Sequence, residues 1–238
     1  RAPHHAITLA GLVGGGNPVT PGEASLAHGG VLFLDELPEF SPSVLQSLRQ
    51  PMEEGEIRLV RADGTYSFPS RFQLLAAANP CPCGHFGDRG HVCRCSSSQI
   101  ARYQARVGGA LMDRIDVFVD VTRPAASNVI KGAKGMSSAE MRAQVLRGRE
   151  FASWRSSKTE FAQPGSVESC LLSNGAQSLL ELMAERLSLG GRAISRTARV
   201  ARTIADLAER ESVEADDIAE ACAFRSRYAL EDDLNGSS

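Results

Sequence analysis

The chain has 238 residues, 42% hydrophobic and 23% charged, with a formal net charge of −2. That length suits one large domain or a core domain with a smaller one, and the composition is that of an ordinary globular protein. The balanced charge excludes bulk basicity as a means of holding nucleic acid, so any basic surface is local. No run of 18 apolar residues offers a membrane span, and no basic stretch followed by an apolar core reads as a secretory signal, so a cytoplasmic location without membrane contact is expected.

Residues 1 to 30 are rich in Gly and Pro around "GLVGGGNPVTPGE". They predict a short strand over 1–4, a loop, and a short helix over 23–27. Residues 31–35 form a continuous apolar run, the pattern of a strand buried on both faces, which ends on Asp35 and Glu36. "SPSVLQSLRQPMEEG" predicts a helix capped by Ser41 or Ser43, with Val44, Leu45 and Leu48 on one face. "EIRLVRADGTYSFPSRF" alternates on both sides of "ADG", and Asp63-Gly64 predicts a hairpin. "FQLLAAANP" predicts a second buried strand ended by Asn79-Pro80. "SSSQIARYQARVGGALMDR" carries a helix, and "DVFVDV" (116–121) predicts a third strand.

The character changes near Thr122. "RPAASNVIKGAKG" reads as a linker, and Ser137 with Glu140 forms a capping box ahead of a helix. After a break at "FAQPGSVE", helical patterns cover about 174–189, 191–210 and 214–228, before a frayed tail. The expected fold is α/β, a parallel sheet with a β-hairpin insertion, followed by an all-α domain. The expected boundaries are a core at 1–124, a linker with a helix at 125–165, a helical domain at 166–230 and a tail at 231–238.

An apolar strand ending on Asp35 and Glu36 places both carboxylates at the carboxyl edge of the sheet, where α/β folds bind ligands. Asp suits a hydrated Mg²⁺ held against phosphate oxygens, and the neighbouring Glu can accept a proton from an attacking water. The bland alternative is two acids opening a helix, where the dipole favours them.

Four of the six cysteines, Cys81, Cys83, Cys93 and Cys95, cluster in "CPCGHFGDRGHVCRC". Four thiolates in a short loop can make a tetrahedral zinc site. The C-x-C spacing is tighter than the commoner C-x-x-C, His85 and His91 are alternative ligands, and reduced thiols in a surface loop are the competing reading. Cys170 and Cys222 lie in helical regions and are expected in the core, with no disulfides in a reducing compartment.

"RAPHH", "PGEASLAHGGVLFLDELPEF", "LLAAANPCPCG", "LMDRIDV" and "RVARTIADL" follow one another in an order that resembles the magnesium-chelatase-like family of AAA+ ATPases. The resemblance covers nearly the whole chain and is nearest to a competence-linked branch of hexameric DNA helicases acting in branch migration. It implies ATP and Mg²⁺ as cofactors. "GGVLFLDE" resembles a Walker B motif, which implies Asp35 as the Mg²⁺-side acid and Glu36 as the catalytic base. Asn79 matches sensor 1, Arg114 an arginine finger offered to a neighbouring subunit, and Arg192 sensor 2 on a lid helix. Arg196 and Arg199 follow on that helix and are expected to pack or line a subunit interface. The resemblance also implies a homo-hexamer on single-stranded or branched DNA. Arg58, Arg61 and Tyr66 of the hairpin would then grip phosphates and stack on bases at a pore. The glycine-rich loop 11–22 is open to three readings, a second pore loop, a regulatory loop or a connector. A chelatase-type ATPase remodelling a protein partner, and a non-catalytic interaction module, are the competing readings.

A P-loop, G-x-x-x-x-G-K-[ST], supplies the amides and the Lys that hold phosphates. No such string occurs: "GGGNPVTPGE" has no Lys and "GAKGMSS" has one out of frame. In the family resembled, the P-loop precedes "RAPHH". The chain, which starts at Arg1, is therefore expected to be the C-terminal part of a longer protein. By itself it is expected to be inactive as an ATPase and to have an unfilled sheet edge.

Overall fold

The computed structural model describes residues 1–88, 90–121, 124, 129–132, 135–158 and 166–225. The chain divides into two units, Arg1–Ile115 and Asp116–Ser238.

In the first unit Thr8 caps a short helix, α1 (Leu9–Val13), by accepting from Gly11 N. The glycine run then forms a small hairpin of β1 (Gly14–Gly15) and β2 (Thr20–Pro21). A side chain is excluded at Gly14, where φ is +103° and a Cβ would stand 2.7 Å from Thr20 O. Residues 1–4 form no strand. Arg1 alone lies along β3 (Val31–Leu34), donating from N to Val31 O and accepting at O from Phe33 N, both at 2.8 Å.

After α2 (Glu23–Leu26), β3 pairs in parallel with β6 (Gln73–Ala76), Leu32 opposite Leu74 and Leu34 opposite Ala76. β3 is covered on one face only, contrary to its apolar run. Leu32 and Leu34 join a core with Leu12, Phe40, Val44, Leu45 and Leu48, while Val31 is 42% exposed. A strand is buried on both faces only where layers pack on both.

The helix expected over 41–55 is two helices. α3 (Pro42–Ser47) is capped by Ser41, whose hydroxyl accepts from Val44 N, and α4 (Arg49–Glu54) follows across Leu48. Pro51 has no N–H and its ring would strike the carbonyl of Ser47 in a continuous helix; in the first turn of a new one it is tolerated. Gly55, at φ +70°, closes α4. The hairpin between the two parallel strands is β4 (Glu56–Arg61) and β5 (Gly64–Pro69), with Arg61 opposite Gly64. Ala62 and Asp63 therefore make the turn, one position earlier than the Asp-Gly pair suggested.

The next predicted helix is interrupted at Gly108, φ +77°, into α5 (Ser97–Gln104) and α6 (Gly109–Met112). Residues 116–121 form no strand. Val119 and Val121 are exposed, and no neighbouring strand accepts the segment among the described residues, although Phe118 N donates to Phe224 O at 3.0 Å. A strand without a ladder partner leaves its backbone groups to water or irregular bonds.

The second unit is helical: α7 (Ser138–Lys158), α8 (Asn174–Arg186), α9 (Gly191–Leu207) and α10 (Ala215–Ala223). The predicted capping box closes. Ser137 N donates to Glu140 Oε2 at 2.7 Å, and Glu140 N donates to Ser137 Oγ at 3.3 Å. α8 and α9 stop short of their hydrophobic patterns because Ser188 and Glu209 turn left-handed. The end of the last pattern, 226–228, lies outside the described residues. Ala198, Ala201 and Ala205 of α9 pack with Ala176, Leu180, Ile218 and Ala221, and Cys170 and Cys222 are buried among them as expected. α7 lies against α9, where a Cβ at Gly148 would meet Leu207 Cδ2 at 2.8 Å. In chain order the described residues make a small parallel sheet with an inserted hairpin, followed by a helical region, the α/β-then-all-α arrangement expected. No described helix is long and apolar enough to cross a membrane.

Candidate functional site

The two carboxylates stand at the carboxyl end of β3. Asp35 Oδ1 accepts from Glu36 N at 2.9 Å. Glu36 is left-handed, φ 53° and ψ 46°, and opens a 3-10 turn over Leu37–Glu39. Such a conformation costs a non-glycine residue about 1 kcal/mol and persists only where neighbours over-determine it. Here the parallel ladder continues past the strand. Ala77 N donates to Leu34 O and Leu37 N donates to Ala77 O, both at 2.9 Å. Leu37 and Pro38 turn into the core while Asp35 and Glu36 stay exposed.

His5 meets this pair. Its Nδ1 lies 3.1 Å from Glu36 Oε2, and its ring sits edge-on to Phe40 at 6.4 Å and 4.0 Å from His4. Sequence reasoning assigned His5 no role. The one pointer was the string "RAPHH", in which the imidazole could not be placed without the fold.

Asn79 lies three residues beyond the end of β6 rather than at it, and is exposed. Because β3 and β6 are parallel, Asn79 follows the same sheet edge as Asp35 and Glu36. Arg114 is only 7% exposed and donates to the Glu53 carboxylate on α4 and to Ala110 O. A buried guanidinium is tolerated because both bonds are charge-assisted or to a carbonyl. Arg192 is exposed at the second position of α9. Arg196 donates to Asp116 Oδ1 at 2.7 Å, and Arg199 is exposed.

On the hairpin, strand alternation separates the two arginines. Arg58 shares a face with Glu56, which it bonds, and stands opposite Ser67. The bond from Arg58, then one from Ser67, holds the Glu56 carboxyl below its ordinary value. Arg61 shares the other face with Leu59 and Tyr66. Tyr66 OH donates to Asp63 Oδ2 at 2.9 Å, which raises the phenol's pKa. Arg61 reaches the glycine hairpin, since a Cβ at Gly15 would stand 3.5 Å from its Nη2. The structure thus brings the two loops together and leaves Arg58 on the opposite face.

The four cysteines converge. Cys81 Sγ is 3.4 Å from Cys83 Sγ and 3.7 Å from Cys93 Sγ, Cys83 Sγ is 3.6 Å from Cys93 Sγ, and all four sulfurs lie within 4.8 Å of one another. All are free thiols. The backbone N–H groups of His85 and Arg94 hold Cys83 down to about 6. Cys93 is pushed up to about 12: the Cys95 N–H pulls the other way, but desolvation and the bonds from Cys83, Cys81 and Cys95 outweigh it. Crowded thiols resist ionising together, and a cation removes that resistance. His85 and His91 are not part of this cluster. They stack at 4.9 Å around Asp88, with His91 Nδ1 3.2 Å from Asp88 Oδ2.

A family profile described as "Magnesium chelatase, subunit ChlI" matches residues 1–129, and one described as "Magnesium chelatase, subunit ChlI C-terminal" matches 135–225. Competence protein ComM of Haemophilus influenzae is 43% identical over 233 residues, 97% of this chain and 45% of the relative. An uncharacterized protein of Mycobacterium tuberculosis is 42% identical over 235 residues, 96% of this chain and 46% of its own length. YifB of Escherichia coli is 39% identical over 229 residues, 95% and 45% respectively. The chain therefore spans a little under half the length of these curated relatives.

Proposed function

This chain belongs to the magnesium chelatase family of AAA+ type, and we propose that it supplies the water-activating half of an ATPase site in a DNA motor. The observation that carries the proposal is the sheet edge: Asp35 and Glu36 at the end of β3, with Asn79 beyond its parallel partner β6. Exposed carboxylate oxygens are the hard donors that Mg²⁺ takes, so Asp35 fits the metal of MgATP. When bound, that ion neutralises phosphate charge. Glu36 accepts the proton of the attacking water, His5 holds the Glu36 carboxylate in one orientation, and Asn79 orients the water. Arg192, exposed at the start of α9, is the helical unit's candidate for sensor 2. Arg114 acts in trans on a neighbouring subunit of a homo-hexamer once it leaves Glu53, its partner here. The 238 residues contain no P-loop string and by themselves do not turn over ATP.

The DNA reading is supported by Arg61, which reaches the glycine hairpin, and by Tyr66 on the same face of the strand pair, a basic and aromatic pair suited to phosphate grip and base stacking. The family's description favours a second reading, a chelatase-type ATPase that remodels a protein partner in the cytoplasm. The test is ATPase activity of the full-length protein with and without single-stranded and branched DNA, beside Glu36→Gln. DNA-stimulated turnover lost in the variant supports the motor. Turnover that survives Glu36→Gln overturns the site, and turnover that needs Glu36 but ignores DNA selects the second reading.

A further inference from the structure

We propose that Cys81, Cys83, Cys93 and Cys95 bind one zinc ion, and that this site clasps the Asn79–Pro80 segment to helix α5. A tetrahedral ion with Zn–S bonds of about 2.3 Å sets its sulfurs about 3.8 Å apart. The separations of 3.4, 3.6 and 3.7 Å approach that edge on three sides of the cluster, and the fourth sulfur completes it within 4.8 Å. A disulfide would need about 2.0 Å, and sulfurs spread around a polynuclear iron–sulfur cluster stand farther apart than one ion's ligands. Four soft thiolates select zinc among the common divalent ions, and four protein ligands leave no open position for substrate, which makes the site structural. Binding releases the thiol protons to solvent and leaves four thiolates on one cation.

The loop carrying these residues supports the same conclusion from another side. Residues 81–95 contain no helix or strand among the described residues, and Val92 and Phe86 are exposed, so no apolar core of their own holds the loop. Segments too small for a core are held by cross-links or metals. Cys81 is the exception, fully buried two residues after Asn79. Cys95 immediately precedes Ser96, which caps α5 by accepting from Gln99 N. Gln104 of α5 donates to Pro80 O at 3.1 Å. An ion joining Cys81 and Cys83 to Cys93 and Cys95 thus ties both ends of the loop, with Asn79 on one side and the start of α5 on the other.

The ion itself stands apart from the ATPase reading; only its consequence for Asn79 rests on it. The test begins with metal analysis of full-length protein purified without chelator, expected to hold about one zinc per chain. Co²⁺ exchanged into the wild type is expected to show thiolate-to-cobalt charge-transfer bands and a tetrahedral ligand-field spectrum. Cys83→Ser and Cys93→Ser are expected to lose the metal, and Cys170→Ser to keep it. Zinc well below one per chain together with no thiolate–cobalt bands overturns the site, and so does unchanged zinc in both loop variants. Because the cobalt spectrum is read on the wild type, a variant that fails to fold does not shelter the proposal. Hydrogen exchange after zinc removal tests the clasp. Protection over 79–104 is expected to fall at least about tenfold while β3 keeps its own. Equal protection with and without zinc overturns the clasp, and this readout is independent of whether Glu36→Gln abolishes turnover.

Discussion

Asp206 is the joint between α7 and α9, and its removal gives the most direct test of how the helical unit is held. Its carboxylate takes Arg155 side-on, Nε to Oδ1 at 2.9 Å and Nη2 to Oδ2 at 3.0 Å, and Arg202 Nη2 at 3.0 Å. The three side chains are 10%, 11% and 7% exposed, so water screens the trio little. Truncating one partner of such a buried pair costs about 3 to 5 kcal/mol, because a charge is left without compensation. Arg202 keeps the carbonyls of Cys170, Glu211 and Arg210, which places Asp206→Ala near the low end. At about 4 °C per kcal/mol, a loss of about 3 kcal/mol lowers the Tm of the helical unit by about 12 °C. Calorimetry on the whole chain reads that transition, and hydrogen exchange should show α7 losing protection first. Replacing both Arg155 and Asp206 by Leu should recover much of the loss, since an apolar pair leaves neither of the two charges behind. An Asp206→Ala variant that costs under about 1 kcal/mol would refute the reasoning and mean that the trio behaves as an ordinary surface pair.

Two further outcomes follow from single contacts. The Ser137 hydroxyl, then its backbone N–H, hold the Glu140 carboxyl below the ordinary value. The cap is therefore present above the unfolded pKa and is lost as pH falls through the lower, folded one. NMR titration should find Glu140 depressed and Ser137→Ala should move it back up; an unmoved value would sink the capping account. At the sheet edge, His5→Ala in the full-length protein should lower kcat about tenfold to a hundredfold by letting the Glu36 carboxylate rotate, with KM for ATP little changed. Part of that loss should return in His5→Gln, which keeps a donor, and an unaltered kcat would remove His5 from the site.

The parts of the site that were legible in the sequence depend on local chemistry. The apolar run before Asp35 and Glu36 needs no partner to declare a strand, and "DG" and the Ser137–Glu140 spacing act within a few residues. Most of the failures involve a missing or distant neighbour, and one is local. Residues 116–121 have strand composition, but composition supplies no ladder partner. Val31 looks as buried as Leu32 until the core is seen to lie on one face. The continuous helix over 41–55 was a pattern that Pro51 could have broken on inspection, because its ring acts on Ser47 in the same turn. Asn79 reaches the expected edge only through the parallel pairing of β3 with β6, not by ending the strand.

The sequence by itself determined the class of fold, the acidic pair and the four-cysteine set, because these rest on residue type, spacing and hydrophobic period. Tertiary structure alone decided which groups meet. It set His5 against Glu36, enclosed Arg114 with Glu53, and drew four thiols together while turning His85 and His91 aside to Asp88. Each of these contacts joins side chains whose distance is set by how the backbone returns, and no local pattern encodes that distance.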